Sequence, residues 1–325
     1  MTLERRKFLQ SIAAIAGVTS IPRLAKAQLY PTKPVKIILP NPAGSPTDAL
    51  CRIIANQLQV RLGQAVIIDN RPGGGQSLGA RAVATADPDG YTLLLMNNGH
   101  YFGLTPNAGY DPVASFTPVA TLAEWNHVLI TRNDFPASTV LQLIEYAKAN
   151  PGQVTFGFGT SSPPQILGET LKNVSGANIT SVPYRSGGPA VTDLLGGRID
   201  INFGPTATLL PLIQGGKVKA LSYTGVSRHR QLPDLPTMVE SGFPQIAFNP
   251  DSWTGLMLPA GASPSALGRL RVAIDDSLHS SEVVEKFTGL GFEVLIKTSE
   301  EIIPFFAREA EKWPPIVRAA GLTPE

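Results

Sequence analysis

Two strand-to-helix turns of this chain carry residue types suited to holding an anion. The first is Asn41-Pro42-Ala43-Gly44-Ser45-Pro46-Thr47-Asp48. Ser45 fits an N-cap, Pro46 the first helical position, and Asp48 the third, where its carboxylate closes a capping box. The second is Gly157-Phe158-Gly159-Thr160-Ser161-Ser162-Pro163-Pro164-Gln165, with Ser162 as N-cap, Pro163 at the first position and Gln165 at the third. Such turns direct backbone N–H groups and the positive end of a helix dipole outward. That suits a carboxylate or phosphate without any cationic side chain. One such turn is an ordinary capped helix; two built alike point to a ligand held between them.

Two further turns belong to the same reading. Asn97-Asn98-Gly99-His100-Tyr101 ends one expected strand, and Arg185-Ser186-Gly187-Gly188-Pro189 opens another helix. Asn and Ser side chains there donate to anions, and Arg185 is either a fork for a carboxylate or a solvated surface residue. Gly73-Gly74-Gly75 reads as a tight turn, because GxGxxG fails and no Gly-Lys-Ser/Thr follows. Enzyme signatures are sparse. His100, His127, His229 and His279 stand apart without metal-ligand spacing, and no Gly-x-Ser-x-Gly elbow is present. Asp200, between Ile199 and Ile201, reads as a structural hydrogen-bonder. Cys51 is the only cysteine, which excludes an internal disulfide, and it falls on the apolar side of an expected helix as a small buried hydrophobe.

These turns need strands that end where they begin. Val35–Leu39, 66–68 and 92–96 read as strands, with a helix over 46–62 whose apolar positions are Leu50, Ile53, Ile54, Leu58 and Leu62, closed by Gly63. A small-residue helix over 78–86 completes a βαβαβ unit, which implies a parallel sheet covered on both faces. The pattern recurs: helix 139–149, strand 154–156, helix 163–173, strand 180–184, helix 189–195, strand 199–203, helix 206–214 and strand 218–222. From 265 the chain is mostly helical, with one strand at 292–296. Apolar, strand-like segments near 119–131 and 246–258 flank the second unit and are the expected crossings. The fold class expected is α/β: two lobes, each a mostly parallel sheet flanked by helices, with a ligand cleft between them. Residues 28–125 and 250–325 form the first lobe and 126–249 the second.

The N-terminus says where such a protein works. Glu4-Arg5-Arg6-Lys7-Phe8-Leu9 precedes an apolar run from Ile12 to Ile21, and Ala25-Lys26-Ala27 precedes Gln28. A positive start, a short apolar stretch and a small-x-small site describe an export signal over 1–27, and the arginine pair points to the twin-arginine route. The apolar run falls far short of the roughly 20 residues that span a bilayer. The leader carries a net charge of +4, so the other 298 residues carry −2 where the whole chain is +2. The basic balance therefore belongs to the leader and gives no warrant for a nucleic-acid partner. With 16% charged and 43% apolar residues, the whole chain has the composition of a compact globular protein.

Beyond these physical features, Tyr30-Pro31-Thr32-Lys33-Pro34-Val35, Gly44-Ser45-Pro46-Thr47-Asp48, Leu62-Gly63-Gln64 and Asn70-Arg71-Pro72-Gly73 form a recognisable series. Pro88-Asp89-Gly90-Tyr91-Thr92-Leu93, Val182-Pro183-Tyr184-Arg185, Asp193-Leu194-Leu195-Gly196-Gly197 and Leu232-Pro233-Asp234-Leu235-Pro236-Thr237 extend it. In this order they resemble the Bug proteins, the extracytoplasmic solute receptors of tripartite tricarboxylate transporters, from Tyr30 to Gly321. The resemblance implies a monomeric two-lobed periplasmic binding protein that closes over a small carboxylate and delivers it to membrane permease subunits. It implies no catalysis, cofactor or metal. Family members commonly hold the carboxylate through backbone groups, small polar side chains and waters of the two facing loops, which correspond here to Asn41–Asp48 and Gly159–Ser162. The expected ligand-binding set is Asn41, Ala43, Gly44, Ser45, Thr47, Asp48, Asn98, Gly99, His100, Gly159, Thr160, Ser161, Ser162, Arg185, Gly204 and Pro205. Two departures leave the individual substrate open: Ser45 stands where the first loop usually has a second Gly, and Gln165 where the second often has His. An exported α/β enzyme acting on a carboxylate or ester, and a ligand-sensing subunit of a signalling system, are the alternatives.

Overall fold

The computed structural model describes residues 30–104, 107–248 and 252–323; the export signal expected over 1–27 lies outside the described residues. The chain builds two sheets. Strands β1 (Val35–Leu39), β2 (Val66–Asn70) and β3 (Thr92–Asn97) alternate with helices α1 (Pro46–Leu62) and α2 (Ser77–Ala84). Strand β1 lies between β2 and β3, parallel to both. Flanked on both edges and covered on both faces, it buries Val35, Ile37, Ile38 and Leu39 and exposes only Lys36. The same sheet continues through β10 (Ser252–Pro259), β4 (Phe116–Trp125) and β11 (Glu293–Val294), in the order β11-β4-β10-β3-β1-β2.

The second sheet runs β7 (Thr180–Tyr184), β6 (Thr155–Gly159), β8 (Ile201–Pro205), β5 (His127–Thr131), β9 (Lys219–Tyr223). Its helices are α3 (Val140–Ala149), α4 (Pro163–Ser175), α5 (Gly187–Leu195) and α6 (Thr206–Gln214). Parallel pairing holds for the helix-linked strands β7-β6-β8 and β2-β1-β3. The strands on the crossing segments, β4, β10 and β5, pair antiparallel, so each sheet is mixed rather than mostly parallel. Asn126 alone separates β4 from β5, and Ser252, where the chain re-enters the first sheet, pairs with Trp125. The two crossings therefore run side by side.

Helix α1 buries Leu50, Cys51, Ile54, Ala55, Leu58 and Leu62 on one face and leaves Val60 80% exposed on the other. Gly63 ends it in the left-handed region at φ +68°, its N–H returning to Gln59 O at 3.1 Å. Helices α7 (Pro264–Leu278) and α8 (Ser281–Gly289) share this core face with α1, while α2 and α9 (Ser299–Ala319) cover the opposite one. Cys51 is fully buried, and burial pushes its thiol up to about 12, as expected of an inert core residue. Strand β11 is two residues long where five were expected, held to β4 through Glu293 and Val294.

Candidate functional site

The parallel strands of each sheet end in a row of loops, the edge at which open α/β sheets place ligands. In the first sheet, loop 40–45 follows β1. Ser45 caps α1, its Oγ accepting the Asp48 N–H at 3.2 Å. The reciprocal half of the expected capping box is displaced by one residue: the Asp48 carboxylate accepts the Gly44 N–H at 3.0 Å, and the Ser45 N–H turns back to Pro42 O. Gly44 sits at φ +79°, a conformation open to glycine at little cost. Asp48 also accepts Arg52 Nε and Nη2 at 2.9 and 3.1 Å and Asn70 Nδ2 at 3.0 Å. Burial acts to raise its pKa, but Arg52, the Gly44 N–H and Asn70 outweigh it and hold the carboxyl below its usual range. Four donors occupy this carboxylate, so Asp48 shapes the loop rather than facing a ligand. Asn70 also donates to Asn41 O at 3.0 Å, tying β2 to the loop, and the buried Asn41 Oδ1 has no partner among the described residues.

The second sheet repeats the device. Gln165, at the third position of α4, accepts the Ser161 N–H at 2.8 Å, as Asp48 accepts that of Gly44. Ser161 is left-handed at φ +52°, the counterpart of Gly44 and a costly conformation for a residue with a Cβ. Ser162 differs from Ser45: its Oγ donates to Gly159 O at 2.5 Å and makes no cap. Pro163 and Pro164 have no N–H, and the Gln165 N–H is bonded to Ser162 O. The first turn of α4 therefore offers fewer free donors than its dipole suggests.

The neighbouring helix supplies them. A methyl group built on Gly159 would lie 3.0 Å from Gly187 N and from Ser186 C, so only glycine lets this loop approach the start of α5. Gly187 and Gly188, exposed at the first two positions of α5, follow Ser186 and the exposed Arg185. Gly204 and Pro205 end β8, pairing with Val128 and His127; a methyl group on Gly204 would meet Leu209 Cδ1 at 2.7 Å, so this glycine serves packing.

The two rows of loops meet at Gly99. A methyl group there would lie 3.6 Å from Ser161 O of the other sheet, and 2.9 Å from both Asn97 Oδ1 and Gln76 Nε2. Asn97 caps the short turn Asn98–Tyr101 through the Gly99 N–H at 2.9 Å. Its Nδ2 donates to Gln76 Oε1 at 2.6 Å. Sequence reasoning placed Asn97 in this turn but not in the ligand-binding set, and it missed Gln76; the signal was that Gly73–Gln76 follows β2 as Asn41–Gly44 follows β1. Asn98 and His100, by contrast, are buried. Burial pushes the His100 imidazole down to about 4, so it is neutral at pH 7, and Nδ1 engages Asn97. It lines a cavity with Tyr101, Tyr110 and Pro314 rather than the first loop.

Thr47 is half-buried near the free end of α1, and Ala43 and Thr160 are exposed. Asp200 accepts Arg132 Nε at 2.9 Å and the Thr155 N–H and Oγ1–H, the structural role expected of it. A separate cavity of about 640 Å³ lies between Leu141, Leu232, Leu235 and Pro236, lined by residues of neither loop row. No group of three or more His, Cys, Asp or Glu suited to a metal occurs among the described residues.

Comparison with known proteins gives a consistent result. The sequence pattern described as "Tripartite tricarboxylate transporter family receptor" matches residues 50–322. The periplasmic binding protein BugD is 32% identical with a TM-score of 0.81, the match covering 91% of this chain and 100% of that one. Rpa4515 of R. palustris, solved with adipate, is 29% identical with a TM-score of 0.84, covering 91% and 100%. MatC of Rhodopseudomonas palustris, solved with bound malate, is 29% identical with a TM-score of 0.78, covering 89% and 100%.

Proposed function

Because the chain belongs to the tripartite tricarboxylate transporter receptor family, we propose that it captures a small carboxylate between its two lobes and delivers it unchanged to membrane permease subunits. The observation that carries this reading is the meeting of two polar loop rows, each at the carboxyl edge of a parallel sheet, at Gly99 and Ser161. Both rows offer hydroxyls and backbone N–H groups, and the second adds the exposed Arg185. Adipate and malate, the molecules solved with Rpa4515 and MatC, are dicarboxylates and give the class.

The first lobe comprises 28–125 and 250–325 and the second 126–249, and they close about the paired crossings at Asn126 and Ser252. One carboxylate oxygen is taken by Ser45 and Thr47 at the start of α1. The other side is met by Ser161 and Thr160 and by the Gly187 and Gly188 N–H groups beside Arg185, where a helix dipole favours negative charge. Binding and closure are the whole of the proposed reaction, in keeping with relatives that are solute-binding receptors. Residues 1–27 direct export to the periplasm, where the receptor works as a monomer.

A thermal-shift screen of the mature protein tests the assignment. A ligand at one hundred times its Kd stabilises by about 2.7 kcal/mol, enough to see. Mono- and dicarboxylates, aromatic ones included, raise Tm; sugars, metal ions and nucleotides do not. A shift with an uncharged sugar and none with any carboxylate contradicts the proposal.

A further inference from the structure

We propose that Gln76 is a ligand-contacting residue that sets specificity, its side-chain Nε2 donating to a carboxylate oxygen of the bound solute. The proposal rests on the carboxylate reading above and adds a residue from the loop after β2. Three observations carry it.

The first is orientation. The Gly99 N–H donates to Asn97 Oδ1, which fixes that amide; Asn97 Nδ2 then donates to Gln76 Oε1 at 2.6 Å, which fixes the second. A relay of amides with both acceptor ends used leaves a donor at its free end. That donor is Gln76 Nε2, which donates to no described residue.

The second is position. Nε2 lies 2.9 Å from a methyl group built on Gly99, on the side where Ser161 O of the opposite lobe lies 3.6 Å away. The donor therefore stands in the seam between the lobes, half-buried and pointed by its neighbours.

The third is backbone conformation. Among the described residues, Gln76, Asn107 and Ser161 are the non-glycine residues with positive φ. Two of the three, at +75° and +52°, face each other across Gly99. Such conformations cost free energy and persist where surrounding structure enforces them, characteristically at ligand sites. Gln76 directly follows three glycines, and a fourth would adopt this geometry freely, so the glutamine side chain stands here at a backbone cost that glycine would not carry.

The test uses calorimetric titration of the mature protein with linear mono- and dicarboxylates headed by adipate and malate, and with adipate monomethyl ester. Gln76→Met removes the donor at nearly constant shape, and Gln76→Gly removes it while relaxing the backbone. Both weaken dicarboxylate binding about ten- to hundredfold, the usual size of a lost hydrogen bond to a charged group. Gln76→Gly does so with Tm close to that of the wild type, the relaxed backbone offsetting the lost Asn97 hydrogen bond, which separates lost contact from lost folding. In Gln76→Met the penalty for the monoester relative to adipate shrinks, because the group that read the second charge is gone. Dicarboxylate affinities within threefold of wild type in both variants overturn the assignment. Equal losses for adipate and its monoester overturn it too, since they mark a contact between lobes. A wild-type protein that binds no carboxylate overturns instead the functional reading on which the assignment rests.

Discussion

Replacing Asp48 by Asn keeps the shape of the side chain and removes its charge, and the structure gives the size and the pH dependence of the result. The carboxylate accepts four hydrogen bonds: from Gly44 N, from Arg52 Nε and Nη2, and from Asn70 Nδ2. Asparagine keeps one oxygen and turns an NH2 group toward donors that want an acceptor. Breaking a buried ion pair costs about 3–5 kcal/mol when the surviving charge stays buried. Arg52 is 54% exposed against 4% for Asp48 and regains water when released, which brings the loss down to about 2 kcal/mol. For a protein of about 300 residues that lowers Tm by about 3 °C. The pH dependence follows from the depressed pKa of Asp48. A carboxyl with a lower pKa when folded contributes stability above its unfolded value, about 3.9, and loses it as pH falls through the folded value. Denaturant unfolding of wild type and Asp48→Asn therefore gives a constant gap from pH 7 to 5 that narrows below pH 4. A gap under about 0.5 kcal/mol at pH 7, or one that widens in acid, refutes the reasoning.

Gly159→Ala places its methyl group 3.0 Å from the backbone of Ser186 and Gly187; it costs about 1–3 kcal/mol and weakens ligand binding, both read by titration calorimetry and thermal unfolding. Gly44→Ala meets no atom within 4 Å and suffers only backbone strain at φ +79°, a loss of about 1 kcal/mol. Cys51 is fully buried with its pKa pushed up to about 12, so it resists a thiol reagent in native protein and reacts at the rate of unfolding. If residues 1–27 use the twin-arginine route, changing Arg5 and Arg6 together to Lys traps the precursor in the cytoplasm, seen by fractionation; normal export shows another route.

Elements with a strong local signature were legible. Helix α1 runs from Pro46 to Leu62 as its apolar spacing and its Gly63 stop predict, and β1 and β7 match their expected spans. Strand direction was harder to read on the crossings. Whether β10 pairs parallel or antiparallel to β3 is decided by residues some 160 positions apart, which no local pattern encodes. At the site, the two turns and the Ser45 cap were legible, whereas Ser162 holds the N-cap position without capping. Where Asp48 and Gln165 reach was not legible, because a left-handed residue just before each helix moves the donor they accept from back by one residue. The missing donors at α4 were legible, since Pro163 and Pro164 declare the absence of N–H groups. Gln76 was hidden for the opposite reason: the role proposed for it depends on Asn97 and on the approach of Ser161, from the other sheet, to Gly99.

Amide hydrogen exchange of the mature protein with and without a carboxylate identified by thermal shift tests the central claim most directly. Binding between the lobes slows exchange in 41–48, 71–76 and 97–101 on one side and in 157–165 and 185–189 on the other. Protection confined to one lobe contradicts the account, and so does protection centred on the cavity between Leu141 and Leu235.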